Sequence, residues 1–459
     1  MSEILSSLIP EPLEERLHTA LRQAMALGAE GAEAFVTVSR SRKAKVRNGV
    51  LEDLTASKRG GLGLRVLREG RTGIATTTDL SRASFSDLVQ QAWELAALGD
   101  PDPWLRQAEP SGSDDLPSRY DARTEALAPE DRIQRAFRLE AAARKASDRV
   151  VAVREAAWSD GAGASLLLTQ RGVRTADLGS SCSASIELAV EREGDRQAAW
   201  HWDVGRQPGD VDLEAIGAEV ARKGERKLNP VPLPSGRYPV VLHPEVAVDL
   251  FSLVAGMLSA ESVLKGRSLF AGKLGSAVAS PRLTLVDDGR LILPDGRPAL
   301  GTEPWDGEGL PTRRNVLLQD GVLTTYLHTL KTAAEMGCAP TASAARGTGS
   351  NPGVTTFNLF PEPGQATAEA LHRQAWDGVL ITELMGLHTV NPVSGDFSLG
   401  ASGLRLREGR LAEPVDRMTF AGNLRDLLLR IVDLGSDLRW YGSSAGLTVL
   451  LEEMPLGGA

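Results

Sequence analysis

The sequence predicts an α+β fold, with an N-terminal domain of mainly antiparallel strands and flanking helices followed by a β-rich C-terminal domain. Three observations carry this. An order of helix, strands and helix runs from about residue 13 to residue 99 and returns between residues 129 and 227. The stretch Asn229 to Gly236 holds Pro230, Pro232 and Pro234, and clustered prolines remove backbone donors and stop regular structure, so the chain divides there. Beyond it, Asp288-Gly289, Asp320-Gly321 and Glu408-Gly409 separate apolar runs, as turn dipeptides between strands do.

In the first unit Leu13, Leu17, Leu21 and Met25 recur at helical spacing after Pro12, and Gly28 supplies a stop. Ala34 to Ser39, Lys43 to Val46 and Val50 to Thr55 read as strands, with a tight turn at Asn48-Gly49. Leu62 to Leu67 and Thr72 to Thr76 form a second hairpin around Glu69-Gly70. Phe85, Leu88, Ala92 and Leu95 place a helix from near Ser84. Gly99 to Pro129, rich in Pro, Asp and Ser, has no sustained period and reads as a linker. The second unit has a helix from Pro129 to Ala146, strands from Val151 to about Trp202 and a helix from about Asp212 to Lys227. No residue-level identity joins the halves, so the parallel is architectural. The expected domains are 1–230, in two lobes of about 1–100 and 128–230 with a linker between, and 231–459. The second opens with a strand from Arg237 to Leu242 and a helix from Pro244 to about Ser259. Strands at Leu283 to Val286, Asn315 to Leu318 and Val322 to Leu327 follow.

Composition narrows the partners. Apolar residues make up 42% and charged residues 24% of the 459, as in ordinary globular proteins. The formal net charge of -9 argues against a polyanion, so no nucleic acid is expected, and the basic run Arg40 to Arg47 reads as a charged edge strand. No uninterrupted apolar run reaches the ~18 residues of a spanning helix, so no membrane is expected. Met1 to Leu17 carries Glu3, Glu11, Glu14 and Glu15 without a basic leader, and the expected location is cytoplasmic. Cys182 and Cys338 stand alone, which fits a reducing compartment and points to neither a disulfide nor a thiolate zinc site.

Chemistry is sparse. Of six histidines, His18, His201 and His372 read as surface or packing residues, and His243 with Pro244 and Glu245 as a helix start. A metal site could be assembled from His243, Glu245, His328 and His388, but they share no ligand spacing. No GxSxG, SxxK or catalytic-cysteine signature occurs, and Gly60 to Gly63 and Gly347 to Gly349 lack the Lys-Ser or Lys-Thr of a phosphate loop. The acids Asp287-Asp288 read as a turn leading into Gly289.

The run Ile381-Thr-Glu-Leu-Met-Gly-Leu-His-Thr-Val-Asn-Pro-Val-Ser-Gly-Asp-Phe-Ser-Leu-Gly-Ala-Ser-Gly403 resembles the C-terminal segment of the TldD/TldE (PmbA) metallopeptidase family. The resemblance extends to Leu406 to Val415, Thr419 to Asn423, Gly266 to Phe270, Leu274 to Ser280, Val286 to Asp288, Val46 to Gly49 and Gly61 to Val66, so it covers nearly the whole chain. It implies a HExxxH zinc motif in active members, in which two imidazoles hold the metal and the Glu acts on its water. Registered on Leu258, Gly266, Ser268 and Phe270, the matching hexad is Phe251-Ser-Leu-Val-Ala-Gly256. Phe251, Ser252 and Gly256 therefore stand where His, Glu and His would be. The cysteine that the family's catalytic subunit uses as third ligand is also missing from the tail around Trp440 to Ser444.

The resemblance thus implies a non-catalytic subunit of TldE (PmbA) type, with no catalytic residue and no metal of its own. Zinc is expected in a TldD-type HExxxH partner, in a heterodimer, with a homodimer as the other arrangement. The implied substrates are unfolded or short peptides, including antibiotic or toxin precursors, held extended in a cleft. Asn391, Pro392, Gly395 and Asp396 are the candidates for shaping it. Two rival readings are a homodimeric peptidase with a non-standard metal site and a regulatory peptide-binding protein, the latter from the family's link to DNA gyrase modulation.

Overall fold

The computed structural model describes residues 11–112 and 115–458. The start of the leader reading, Met1 to Pro10, lies outside the described residues. Helix α1 (Glu11–Ala26) buries Leu13, Leu17, Ala20, Leu21 and Ala24, a stripe at helical spacing, and Gly28 ends the turn after it with φ +96°. Met25, expected on that stripe, is instead exposed.

Strands β1 (Gly31–Arg47), β2 (Val50–Arg68), β3 (Arg71–Thr77), β4 (Val150–Thr169), β5 (Arg174–Arg192) and β6 (Asp195–Gly205) form one antiparallel sheet in the order β3-β2-β1-β4-β5-β6. Each half of the N-terminal region contributes three strands, joined along β1 and β4 from Glu33↔Thr169 to Val46↔Ala156. The turns Asn48-Gly49 and Glu69-Gly70 take positive φ at both residues, the backbone twist that suits two-residue hairpins. Helix α1 and helix α2 (Ser86–Leu98) cover one half of the sheet, helices α3 (Pro129–Ala146) and α4 (Leu213–Glu225) the other.

Two expectations are corrected here. The separate strands Ala34 to Ser39 and Lys43 to Val46 are one strand. The basic run Arg40 to Arg47 is not an edge, because β1 is paired on both sides. Its charges are met from neighbouring strands and the linker: Lys43 by Glu155 at 2.9 Å, Lys45 by Glu52 and Glu155, Arg47 by Glu52, and Arg42 by Glu125 and Asp160. Asp160 itself is fully buried and gripped by Arg132 through two hydrogen bonds of 2.6 and 3.0 Å.

In the C-terminal region β7 (Gly236–Leu242), β8 (Val379–Met385), β9 (Asp396–Arg407), β10 (Arg410–Asn423) and β11 (Val449–Gly457) follow the order β10-β9-β8-β7-β11. A further pairing of β10 with β11 at Thr419↔Gly457 and Phe420↔Leu456 closes these five into a barrel. Strand Ile431–Leu434 hangs on β11. A second sheet runs Val322–Leu323, Arg314–Gln319, Leu285–Asp288, Leu359–Pro361, Ser444–Gly446 and Arg439–Tyr441. Between barrel and sheet lies helix α5 (Pro244–Met257), in the largest apolar core of the molecule. It ends two residues before the expected Ser259. Asp320-Gly321 and Glu408-Gly409 turn with positive φ as the dipeptides predict, whereas Gly289 does not.

The proline segment lies on the barrel, with the Val231 amide donating to the Pro414 carbonyl at 2.8 Å and Leu233 buried. The N-terminal sheet and the C-terminal region are tied at several points. Glu33 is shared by Arg65 and Arg346 at 3.1 and 2.7 Å, and Arg65 also reaches Asn351. A Cβ on Gly63 would sit 1.8 Å from the Thr348 carbonyl oxygen, so only glycine lets that loop approach β2. Arg206 donates to the carbonyls of Ala299 and Leu300 at 2.7 and 3.0 Å. Among the described residues no helix is long and apolar enough to cross a membrane.

Candidate functional site

Helix α5 is the axis of the candidate region. Its start is set by His243, whose Nδ1 accepts from the Glu245 amide at 3.3 Å, and by Pro244 at the first helical position. Burial, and after it the charges of Arg439 and Lys223, push the His243 imidazole down to about 3, so it is a neutral cap.

This end of α5 opens into a cleft of about 410 Å³ between α4, β6 and the barrel, lined among others by Trp200, Lys223, Arg226, His243, Glu245 and Met385. Lys223 bridges the two regions, donating to Glu245 at 2.5 Å and lying 3.2 Å from His201 Nδ1. Burial and the charge of Lys223 push His201 down to about 4, so it too is neutral and can accept from the lysine. Lys227 pairs with Glu383 across the same boundary. Sequence reasoning missed Lys223, Arg226 and Glu383. Lys223 and Arg226 share the C-terminal end of α4 at a spacing of three, but Glu383 comes from β8, and no sequence pattern connects it to them.

The other end of α5 carries the three positions of the matching hexad. Phe251 is 3% exposed and belongs to the core with Val254, Leu258 and Phe270. Ser252 and Gly256 are exposed, and among the described residues a Cβ on Gly256 would meet nothing within 4 Å. Five residues span about 500° at ~100° each, so positions 251 and 256 point roughly 140° apart on a regular helix. The burial confirms this: one faces the core and the other faces outward. A benzyl group, a hydroxymethyl and a hydrogen offer no zinc donor, so the residues present do not fit that metal.

The loop candidates lie next to this end of α5. Ser268 Oγ donates to the Met257 carbonyl at 2.5 Å, and the neighbouring Leu269 amide donates to the Pro392 carbonyl at 2.7 Å. Asn391 Oδ1 accepts from the amides of Val393 and Ser394 at 2.9 and 3.1 Å, which folds the loop, and Gly395 turns it with φ +82°. Asp396 is held by Ser394 at 2.7 Å and by Asn423 at 2.9 Å, and these hydrogen bonds keep its carboxyl below the usual range. Asn391, Pro392 and Asp396 are exposed; Gly395 is buried against Leu269 and Asn423. The structure therefore gathers the hexad and the loop at one corner, through the segment 267–270. Val393 of this loop is exposed, and Leu264 and Leu274, which flank the segment 267–270 in sequence, also expose apolar surface.

Of the histidines weighed as metal ligands, His388 lies three residues before Asn391, beside this loop in the chain. His328 is buried, with Cys338 Sγ 3.5 Å from its Nε2, and His388 sits on the short helix Leu387–Thr389. Among the described residues no three His, Cys, Asp or Glu side chains converge on a point that could hold a metal ion.

Asp287 and Asp288, read as a turn, are instead the buried end of strand Leu285–Asp288. Asp287 Oδ1 accepts from the Phe357 amide at 2.7 Å, while Oδ2 has no hydrogen-bond partner among the described residues. Burial pushes this carboxyl up to about 7. A native pKa above the unfolded one means that the native state holds the extra proton, so its stabilising effect is complete below about pH 4 and is lost as pH rises through 7. The expected result is a larger gain in thermal midpoint on going from pH 8 to pH 5 for the parent than for Asp287→Asn. Equal pH profiles in the two proteins would contradict it.

Three family models match the chain. Residues 32–96 match PmbA/TldA metallopeptidase domain 1, residues 123–228 the central domain and residues 235–458 the C-terminal domain. Metalloprotease PmbA of Escherichia coli O157:H7 is 29% identical over 452 residues, covering 97% of this chain and 96% of that one. A TldD homologue of Haemophilus influenzae is 26% identical, covering 87% and 84%. Among solved structures, a proposed modulator of DNA gyrase from Thermotoga maritima superposes with a TM-score of 0.88 at 27% identity, over 97% of this chain and 100% of that one. TldE from Thermococcus kodakarensis, at 21% identity over 96% and 100%, shares the fold with a TM-score of 0.87.

Proposed function

The chain belongs to the PmbA/TldA metallopeptidase family, and from this we propose that it is a TldE/PmbA-type subunit that supplies no catalytic group. It completes a peptide cleft for a TldD-type HExxxH partner that carries the zinc. The observation that carries this reading is the burial of Phe251 in the core around α5, beside a serine and a glycine that supply neither an imidazole nor a carboxylate. One of the three positions has been absorbed into packing. The exposed Val393 lies on the candidate loop itself, where a subunit contact would cover it. The exposed loop of Asn391 and Pro392 beside them would border the path of an extended, unfolded or short peptide in the cytoplasm. Backbone pairing would then tolerate many sequences.

Co-expression with a HExxxH relative from the same source is the test. The expected outcome is a co-purifying complex that cleaves an unfolded peptide and is silenced by chelation, with this chain alone inactive. Chelator-sensitive cleavage by this chain alone, at one zinc per chain, would sink the reading.

A further inference from the structure

Strand β2 has two neighbours along only part of its length. β3 pairs with it from Leu62 to Arg68, so from Val50 to Arg59 β1 is its one recorded partner among the described residues. Every residue from Val50 to Ala56 is exposed, as are Lys58 and Arg59. Val50, Leu51 and Leu54 are 66%, 39% and 47% exposed, in a strand whose free side presents unpaired backbone amides and carbonyls.

The charge order along this edge selects the occupant. The register skips Glu52, so regular strand geometry runs from Asp53 onward. Asp53 stands at one end, with the Thr55 hydroxyl as its recorded contact, and Lys58 and Arg59 stand at the other, with no side-chain partner among the described residues. Two identical strands related by a two-fold axis pair antiparallel, with one residue opposite its own copy. Centred on Ala56, that pairing sets Thr55 opposite Ser57, Leu54 opposite the aliphatic stem of Lys58, and Asp53 opposite Arg59. Symmetry supplies the acid-base contact twice. A parallel pairing would set like charge on like, and an unrelated strand would need the same order of charges. The strand is complementary to itself.

We propose that the edge Asp53 to Arg59 joins a second copy of this chain in a two-fold antiparallel ladder across the N-terminal sheets. The inference does not rest on the proposed function. The edge belongs to the N-terminal sheet and the corner around Pro392 to the C-terminal region, so such a pair leaves the corner open. Two seven-residue strands bury less than the ~1,200 Å² of a stable interface, so the pairing should depend on concentration.

Sedimentation equilibrium of the purified full-length chain at low salt tests it. The parent is expected to dimerise, Asp53→Arg and Arg59→Asp each to raise the dimer Kd about tenfold or more, and the double variant Asp53→Arg/Arg59→Asp to recover the dimer. Because the exchange restores opposite charges across the axis, recovery separates a ladder from a general change in charge, and unchanged circular dichroism melts exclude misfolding. A parent that stays monomeric at every concentration, as it would if Lys58 and Arg59 serve to repel neighbouring strands, overturns the proposal. So do single variants that dimerise like the parent, or a double variant that remains monomeric.

Discussion

Phe251→His is expected to cost about 3 kcal/mol of stability without creating a metal ligand, in the range measured when a core aromatic ring is lost. The side chain is 3% exposed among Val254, Leu258 and Phe270, so an imidazole there exchanges apolar contact for a polar ring with no partner. Gly256→His should behave oppositely. Its Cβ meets nothing, and replacing a helical glycine recovers up to about 1 kcal/mol of backbone entropy. Urea titrations of the two single variants measure the asymmetry. The triple variant with Ser252→Glu should still bind less than one zinc per chain by metal analysis and cleave no unfolded peptide, because the two imidazoles diverge and a third protein ligand is missing. A triple variant as stable as the parent that hydrolyses peptides would show that α5 can turn Phe251 outward, and the reading of the corner would fail with it.

The second large effect is expected at Glu33. Its carboxylate is buried between Arg65 and Arg346, with Gln107 donating at 3.0 Å. Burial alone would raise its pKa, but the two guanidinium charges outweigh that and hold it at about 2. Glu33→Gln leaves two buried cations facing a neutral amide, and breaking a buried pair in this way costs about 3 to 5 kcal/mol. Because the folded pKa lies below the unfolded value, the contribution of Glu33 is present above about pH 4.5 and is lost as pH falls towards 2. The gap between parent and variant in urea midpoint should therefore be wide at pH 7 and narrow at pH 3. A gap of the same width at both would mean that packing, not charge, carries the effect.

Much of this architecture could be read locally. Asn48-Gly49, Glu69-Gly70 and Glu408-Gly409 announce their hairpins chiefly through the glycine, which takes positive φ at no steric cost, and at Asn48 through an asparagine that tolerates it too. Helix α3 begins at Pro129 as its first-turn chemistry requires. What the sequence concealed is non-local. Arg40 to Arg47 looks like an edge because its counter-charges, Glu125, Glu155 and Asp160, arrive from far along the chain. The gathering of the hexad with the loop at Pro392 depends on a hydrogen bond from Leu269 that no periodicity encodes. The family resemblance supplied both sets of residues; the link between them through the segment 267–270 came from the fold.

Closure of the barrel carries a kinetic consequence. Its first strand, Gly236–Leu242, is hydrogen-bonded to its last, Val449–Gly457, with more than two hundred residues of chain between them. On the ribosome the six-stranded sheet can form as soon as residue 205 emerges, but the barrel must wait for its last strand, and Val240 and Leu242 stay bare meanwhile. Long-range pairing of this kind is slow to find. The interval between those two events is when nascent chains of this protein are most open to chaperone capture and to aggregation.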